Sequence, residues 1–173
     1  FVNTTERIIQ PASGIYVFGA TSGIPVYEGT WTTTRFTVDV NNSDQRFILP
    51  NAGVDISTIK VQVQNSVADT TTATYTAATS LVDITALTQA YFIQETVDSE
   101  WQIYFGDGVV GKSLIDGNIV ILKYVITNGI DANGAVSFTA DGGISGFADI
   151  TTTTMTAAAG GADAETLDSI KYN

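Results

Sequence analysis

The residues best equipped for chemistry in this chain are Gly106-Asp107-Gly108-Val109-Val110-Gly111-Lys112-Ser113. They satisfy the pattern G-x-x-x-x-G-K-[ST]. In that motif backbone N–H groups wrap around phosphates, the lysine reaches the terminal phosphates and the Ser/Thr holds magnesium. Such a loop needs a strand before it and a helix after it, because the helix N-terminus completes the anion site. An apolar run, residues 101–105, does precede it. A helix begun at Gly111, however, meets Asp116-Gly117 after about one turn, and Asp-Gly is a hairpin signal. The residues that follow, 119–127, are dense in β-branched and aromatic side chains, which is strand chemistry. The acidic residue that assists the metal usually ends an apolar run on a neighbouring strand. Here the best such run carries Lys123 in its middle and gives way to Thr127-Asn128-Gly129. Gly106, Asp107, Gly108 and Gly111 are therefore read as a structural turn motif, with Gly106-Asp107-Gly108 turning a hairpin.

Other chemistry fares no better. Cysteine and histidine are both absent, so no disulfide, Cys/His zinc site, cysteine nucleophile or Ser-His-Asp triad can be built. Asp131-Ala132-Asn133-Gly134 and Asp141-Gly142-Gly143 lack the closing glutamate of an EF-hand and read as ordinary turns. Glu95, Asp98 and Glu100 could suggest a glycosidase pair, but residues 97–100 lie between two expected strands, where charge solvates a turn. Ser145 is not in a G-x-S-x-G elbow. No catalytic, cofactor-binding or metal-binding residue is assigned, and no enzyme activity is expected.

The elements that would position any site are short and extended. Residues 101–105, 119–127 and 135–139 lie between Asp/Asn-Gly turn signals, and residues 35–40, 45–49 and 59–64 repeat the texture. Residues 71–77 and 91–95 read as further strands. Strands of this spacing indicate an antiparallel sandwich or barrel. Alternation puts Phe36, Val38 and Val40 on one inward face, and Trp101, Ile103 and Phe105 on another. Leu81, Ile84 and Leu87 allow one helical turn, and Asp163 reads as the N-cap of a helix running towards Lys171. The expected fold is mainly β, an antiparallel β-sandwich-like core with a short or partial helix at the C-terminus. Its divisions are an N-terminal arm (1–29), a β-rich core (30–130), and C-terminal strands with an arm ending in a helix start (131–173).

Composition narrows function further. The 173 residues are 44% hydrophobic, enough for a packed core. The net charge is −11, and the seven basic residues are scattered singly along the sequence, which disfavours nucleic acid as a partner. No apolar run is long enough for a membrane helix. Met155 is the only methionine, so the chain reads as a fragment or a processed form.

Ordered motifs then carry a family resemblance. Val26-Tyr27-Glu28-Gly29, Gln45-Arg46-Phe47-Ile48-Leu49-Pro50-Asn51, Val54-Asp55 and Tyr91-Phe92-Ile93-Gln94-Glu95 come first. Phe105-Gly106-Asp107-Gly108, Gly117-Asn118-Ile119-Val120, Tyr124, Asn133-Gly134 and Gly160-Gly161-Ala162-Asp163-Ala164-Glu165-Thr166 follow in order. The chain resembles the baseplate wedge proteins of T4-like contractile-tailed bacteriophages and the wider baseplate J-like family. Ile115 and Val125 stand where the wider family often has proline and arginine, which favours the T4-like branch. The resemblance implies a non-enzymatic structural subunit of the virion tail baseplate, assembled in the host cytoplasm. It also implies partners: other copies of itself, as a dimer, and other wedge proteins, linked into a ring around the hub. The competing reading is a carbohydrate- or receptor-binding β-sandwich in which Trp31, Trp101 and Tyr104 supply stacking surfaces.

Overall fold

β-branched and aromatic side chains pack well on a pleated surface, and the runs rich in them form the strands of this chain. A computed structural model describes residues 8–9, 17–18, 25–42, 45–98, 100–139, 142 and 152–162. The chain divides into two compact units, residues 30–127 and residues 1–29 with 128–173.

In the second of these units β1 (Ile8–Ile9) pairs antiparallel with β2 (Val17–Phe18). A short 3-10 helix spans Gly129–Ala132. Residues 135–139, expected as a strand, carry none. The helix expected from Asp163 lies outside the described residues.

The 30–127 unit holds β3 (Thr30–Thr37), β4 (Phe47–Ile48), β5 (Val54–Gln64), β6 (Thr72–Ala77), β7 (Ala90–Glu95), β8 (Trp101–Phe105) and β9 (Ile119–Ile126). They make one sheet in the order β3-β9-β5-β6-β7-β8-β4. Every pairing is antiparallel except the short parallel match of Thr76 with Ala90 and Ala77 with Tyr91. The mainly β reading holds, and the single sheet curls into a near-barrel. Its two edge strands come together where the Phe36 ring on β3 meets the Phe47 ring on β4 at 5.4 Å. From Phe47 the ring contacts run to Phe105 at 5.6 Å and on to Tyr75 at 5.4 Å, so four strands share one aromatic seam.

Period-two alternation supplies the rest of the core. Val61 and Val63 of β5, Val120, Leu122 and Tyr124 of β9, and Ile103 of β8 point inward and are buried. Val125 breaks the alternation by being buried too. A register shift between Asp55 and Lys60 explains this, because the displaced chain puts the Thr58 hydroxyl 2.9 Å from the Val125 N–H, which donates to it. The same hydroxyl donates to the Asp55 carbonyl at 2.7 Å.

Further expectations are corrected. Val40 is not inward. β3 ends at Thr37, the Asp39 N–H turns to the Gln45 side chain, and Val40 is exposed. Nor do Gly106-Asp107-Gly108 turn a hairpin. β8 lies between β7 and β4, whereas β9 lies between β3 and β5, so residues 106–118 cross from one half of the sheet to the other. The β-hairpin in this region is β7–β8, closed by the Thr96 N–H donating to the Glu100 carbonyl at 2.7 Å. Around Leu81, Ile84 and Leu87 the chain makes successive turns, with Leu81 and Leu87 exposed.

Candidate functional site

The crossing loop after β8 answers the phosphate question at the level of single amides. Asp107 turns its carboxylate back on its own loop, where Oδ1 accepts the N–H of Val109 and of Val110, each at 2.9 Å. Those bonds, Val110 first, hold its pKa below the ordinary carboxylate value. The Gly108 N–H donates to the Gly111 carbonyl at 3.0 Å. The Gly111 and Lys112 N–H groups donate to the carbonyls of Thr85 and Thr88, at 3.2 and 2.8 Å. Thus the amides of residues 108–112, which a phosphate loop would aim at its anion, already have partners. Residues 113–118, which follow the loop and lead into β9, are not helical. The loop carries its own anion, and it ties the crossover to the 80–89 segment.

Its glycines serve closeness and handedness separately. A Cβ at Gly106 would lie 2.3 Å from the Gly111 carbonyl carbon. Gly108 and Gly111 have φ of 88° and 86°, the left-handed region that other residues adopt at a cost.

Beyond this loop, the side chains singled out in sequence meet one another as fasteners. Asn118 is buried. Its Oδ1 accepts the Ile115 N–H at 2.8 Å, closing the Asp116-Gly117 turn, and its Nδ2 donates to the Asn65 carbonyl at 2.8 Å. The buried Tyr124 hydroxyl donates to Asn51 Oδ1 and lies 3.0 Å from Thr34 Oγ1. The Gly53 carbonyl accepts the Thr127 N–H at 2.8 Å. In the unit of residues 1–29 and 128–173, the two oxygens of Glu28 accept the backbone and side-chain N–H groups of Asn128. Asn133 and Gly161 exchange a reciprocal pair, Nδ2 to carbonyl at 2.8 Å and N–H to Oδ1 at 2.9 Å. A Cβ at Gly161 would sit 2.1 Å from the Gly129 carbonyl oxygen.

No group of His, Cys, Asp or Glu among the described residues could hold a metal ion. Asp131 lies in the short helix and Asn133 is committed to Gly161, while Asp141 and Ser145 lie outside the described residues. Glu95 ends β7, and Glu100 follows it in the exposed turn of the β7–β8 hairpin.

The aromatic residues proposed for glycan stacking do not form one platform. Trp101 and Tyr104 are three apart on β8 and so face opposite sides of the sheet. Trp101 packs against the core. The Tyr104 ring stacks on Phe92 at 5.2 Å and has the Arg46 guanidinium 4.4 Å from its centroid. Trp31 sits on β3 with two cations, Lys60 Nζ at 5.2 Å and Lys123 Nζ at 5.0 Å from its ring centroid. Cation–π contacts at exposed sites contribute roughly 0.5–1 kcal/mol each. Sequence reasoning missed this grouping. The three residues are far apart in the chain, and only the β3-β9-β5 register brings them together.

Against known proteins, residues 33–132 match the family described as bacteriophage baseplate wedge protein gp6, third domain. The chain is 30% identical over 74 residues to baseplate wedge protein gp6 of Enterobacteria phage T4, covering 34% of this chain. It spans 11% of the length of that relative.

Proposed function

The chain belongs to the bacteriophage baseplate wedge protein gp6 family, and from that premise we propose that it is a structural piece of the virion tail baseplate without enzymatic activity. Its work is to link wedges into a ring around the tail hub, through self-association as a dimer and through contacts with other wedge proteins. The observation that carries this reading is the family match, which spans nearly all of the 30–127 unit. The filled amides of the 106–113 loop support the non-enzymatic part, because the only nucleotide-like motif has no donors left for a phosphate among residues 108–112. In the proposed organisation the 30–130 segment is the β-rich core, and residues 1–29 and 131–173 are arms that dock on partners.

Cross-linking with mass spectrometry on assembled baseplates that contain this chain tests the proposal. Links between copies and to other wedge proteins are expected. Virions in which the chain is absent from the baseplate, or linked to neither kind of partner, would sink it. Lys112→Ala is expected to leave assembly unchanged, since only the backbone N–H of Lys112 takes part in the loop's hydrogen bonding.

A further inference from the structure

We infer that the outer face of the β3-β9-β5-β6 half-sheet, centred on Lys60, Lys123 and Trp31, is a docking site for an acidic, carboxylate-bearing segment of a partner protein. This rests on the assembly role proposed above and names the surface through which one partner is held.

Register places Lys60 directly opposite Lys123 on adjacent strands. Like charges in that position repel. Both ammonium groups also lie near the single Trp31 ring, so they are no further apart than about 10 Å, the screening length at about 0.1 M salt. Neither has a carboxylate within ion-pair distance among the described residues. A chain with eighteen acidic and seven basic residues has thus placed two of its few cations side by side, with no counter-charge among the described residues. Arg35 lies on the same face, where its guanidinium donates to Gln64 Oε1 at 3.5 Å. The nearest acidic position in register is Asp55, opposite Val125, and its carboxylate is taken by the N–H and hydroxyl of Ser57.

Beside the lysines lies an open depression of about 420 Å³ whose lining includes Lys60, Gln62, Thr74, Thr76, Ala77 and Lys123, with no Asp or Glu among the described residues. The shape admits several side chains, and the amide and hydroxyl groups can hydrogen-bond an incoming chain. Charge complementarity selects the occupant. Carboxylates set across the pair would neutralise both ammonium groups at once, and the Trp31 ring holds those groups in place beforehand. Because screening is short-ranged, this local face outweighs the chain's overall negative charge at the point of contact.

The test is titration of the 173-residue chain with a decapeptide of alternating Glu and Gly, followed by tryptophan fluorescence and calorimetry at low salt. The Glu peptide should bind and its Gln counterpart should not, with affinity falling as salt rises. Lys60→Gln/Lys123→Gln should weaken binding by roughly tenfold, the scale of two exposed ion pairs sharing an aromatic. Its melting temperature should equal or exceed that of the parent, since a repulsion is removed. Lys60→Arg/Lys123→Arg should retain binding. The proposal is overturned by absence of binding to the Glu peptide, by binding that survives the double Gln variant, or by a ten-nucleotide single strand binding more tightly than the peptide. A lower melting temperature with unchanged binding would mean that the lysines only pack on Trp31. Such failures would remove this face as the docking surface, while baseplate cross-links would still stand on their own.

Discussion

At the scale of single residues, what is written as chemistry in this chain is used as fastening. Asp107 is the clearest case, a carboxylate bonded to the two amides that follow it in the loop. Because its pKa is lowered on folding, it stabilises the fold fully above its unfolded value, near 3.8, and that contribution is lost as pH falls through the lower folded value. Asp107→Asn should therefore be less stable than the parent at neutral pH, and the difference should close in the acid range below 3.8, read by urea unfolding at a series of pH values. The loop glycines separate two causes of intolerance. In Gly106→Ala the new Cβ meets a backbone carbonyl that cannot yield, so a loss of about 3 kcal/mol is expected, the upper end for overpacking. Gly117 has open space around it and φ of 76°, so Gly117→Ala should lose only about 1 kcal/mol, from handedness alone. Equal losses in the two variants would show that sterics do not decide the loop.

At the scale of elements, most strands of the core were readable from their β-branched and aromatic residues. β3 was not, because Thr30–Thr37 is mainly threonine and the alternation at 35–40 pointed further along the chain. The runs at 59–64, 71–77, 91–95, 101–105 and 119–127 all became strands, at or near those limits except that β5 starts earlier, at Val54. What could not be read was who pairs with whom. Asp-Gly and Gly-Asp signals mark where a chain can turn, not where the next strand lies, and the 106–118 segment turns without making a hairpin. The bulge at 55–60 was likewise hidden, because its partner is the Thr58 hydroxyl standing in for a ladder group. Val40 was misplaced since alternation continues in the sequence after β3 has left the sheet. Closure of the near-barrel is also a non-local fact, and it rests on Phe36 and Phe47. Phe47 is buried between Phe36 and Phe105, so Phe47→Ala should destabilise by about 3–5 kcal/mol in denaturant unfolding. Phe36 is only half-buried, and Phe36→Ala should lose less globally. It should nonetheless speed amide exchange selectively in β3 and β4, the two strands it joins.

At the scale of the whole molecule, charge bears on the proposed self-association. With a net charge of −11 and a pI near 4.1, two copies repel at neutral pH unless local contacts oppose it. If the proposed self-association joins surfaces of like acidic character, added salt screens the repulsion, and the dimer should tighten as salt is raised. An acidic segment held on Lys60 and Lys123 should respond in the opposite sense and loosen. Sedimentation equilibrium across a salt series, run beside the peptide titration, therefore separates the two contacts within one preparation. Tightening of the dimer with weakening of the peptide complex is the expected pair of results. Were both to weaken together, and the double Gln variant also to lose the dimer, the basic face would be holding the acidic surface of a second copy. The occupant would then be this chain itself, and the ring would be built from complementary rather than like surfaces.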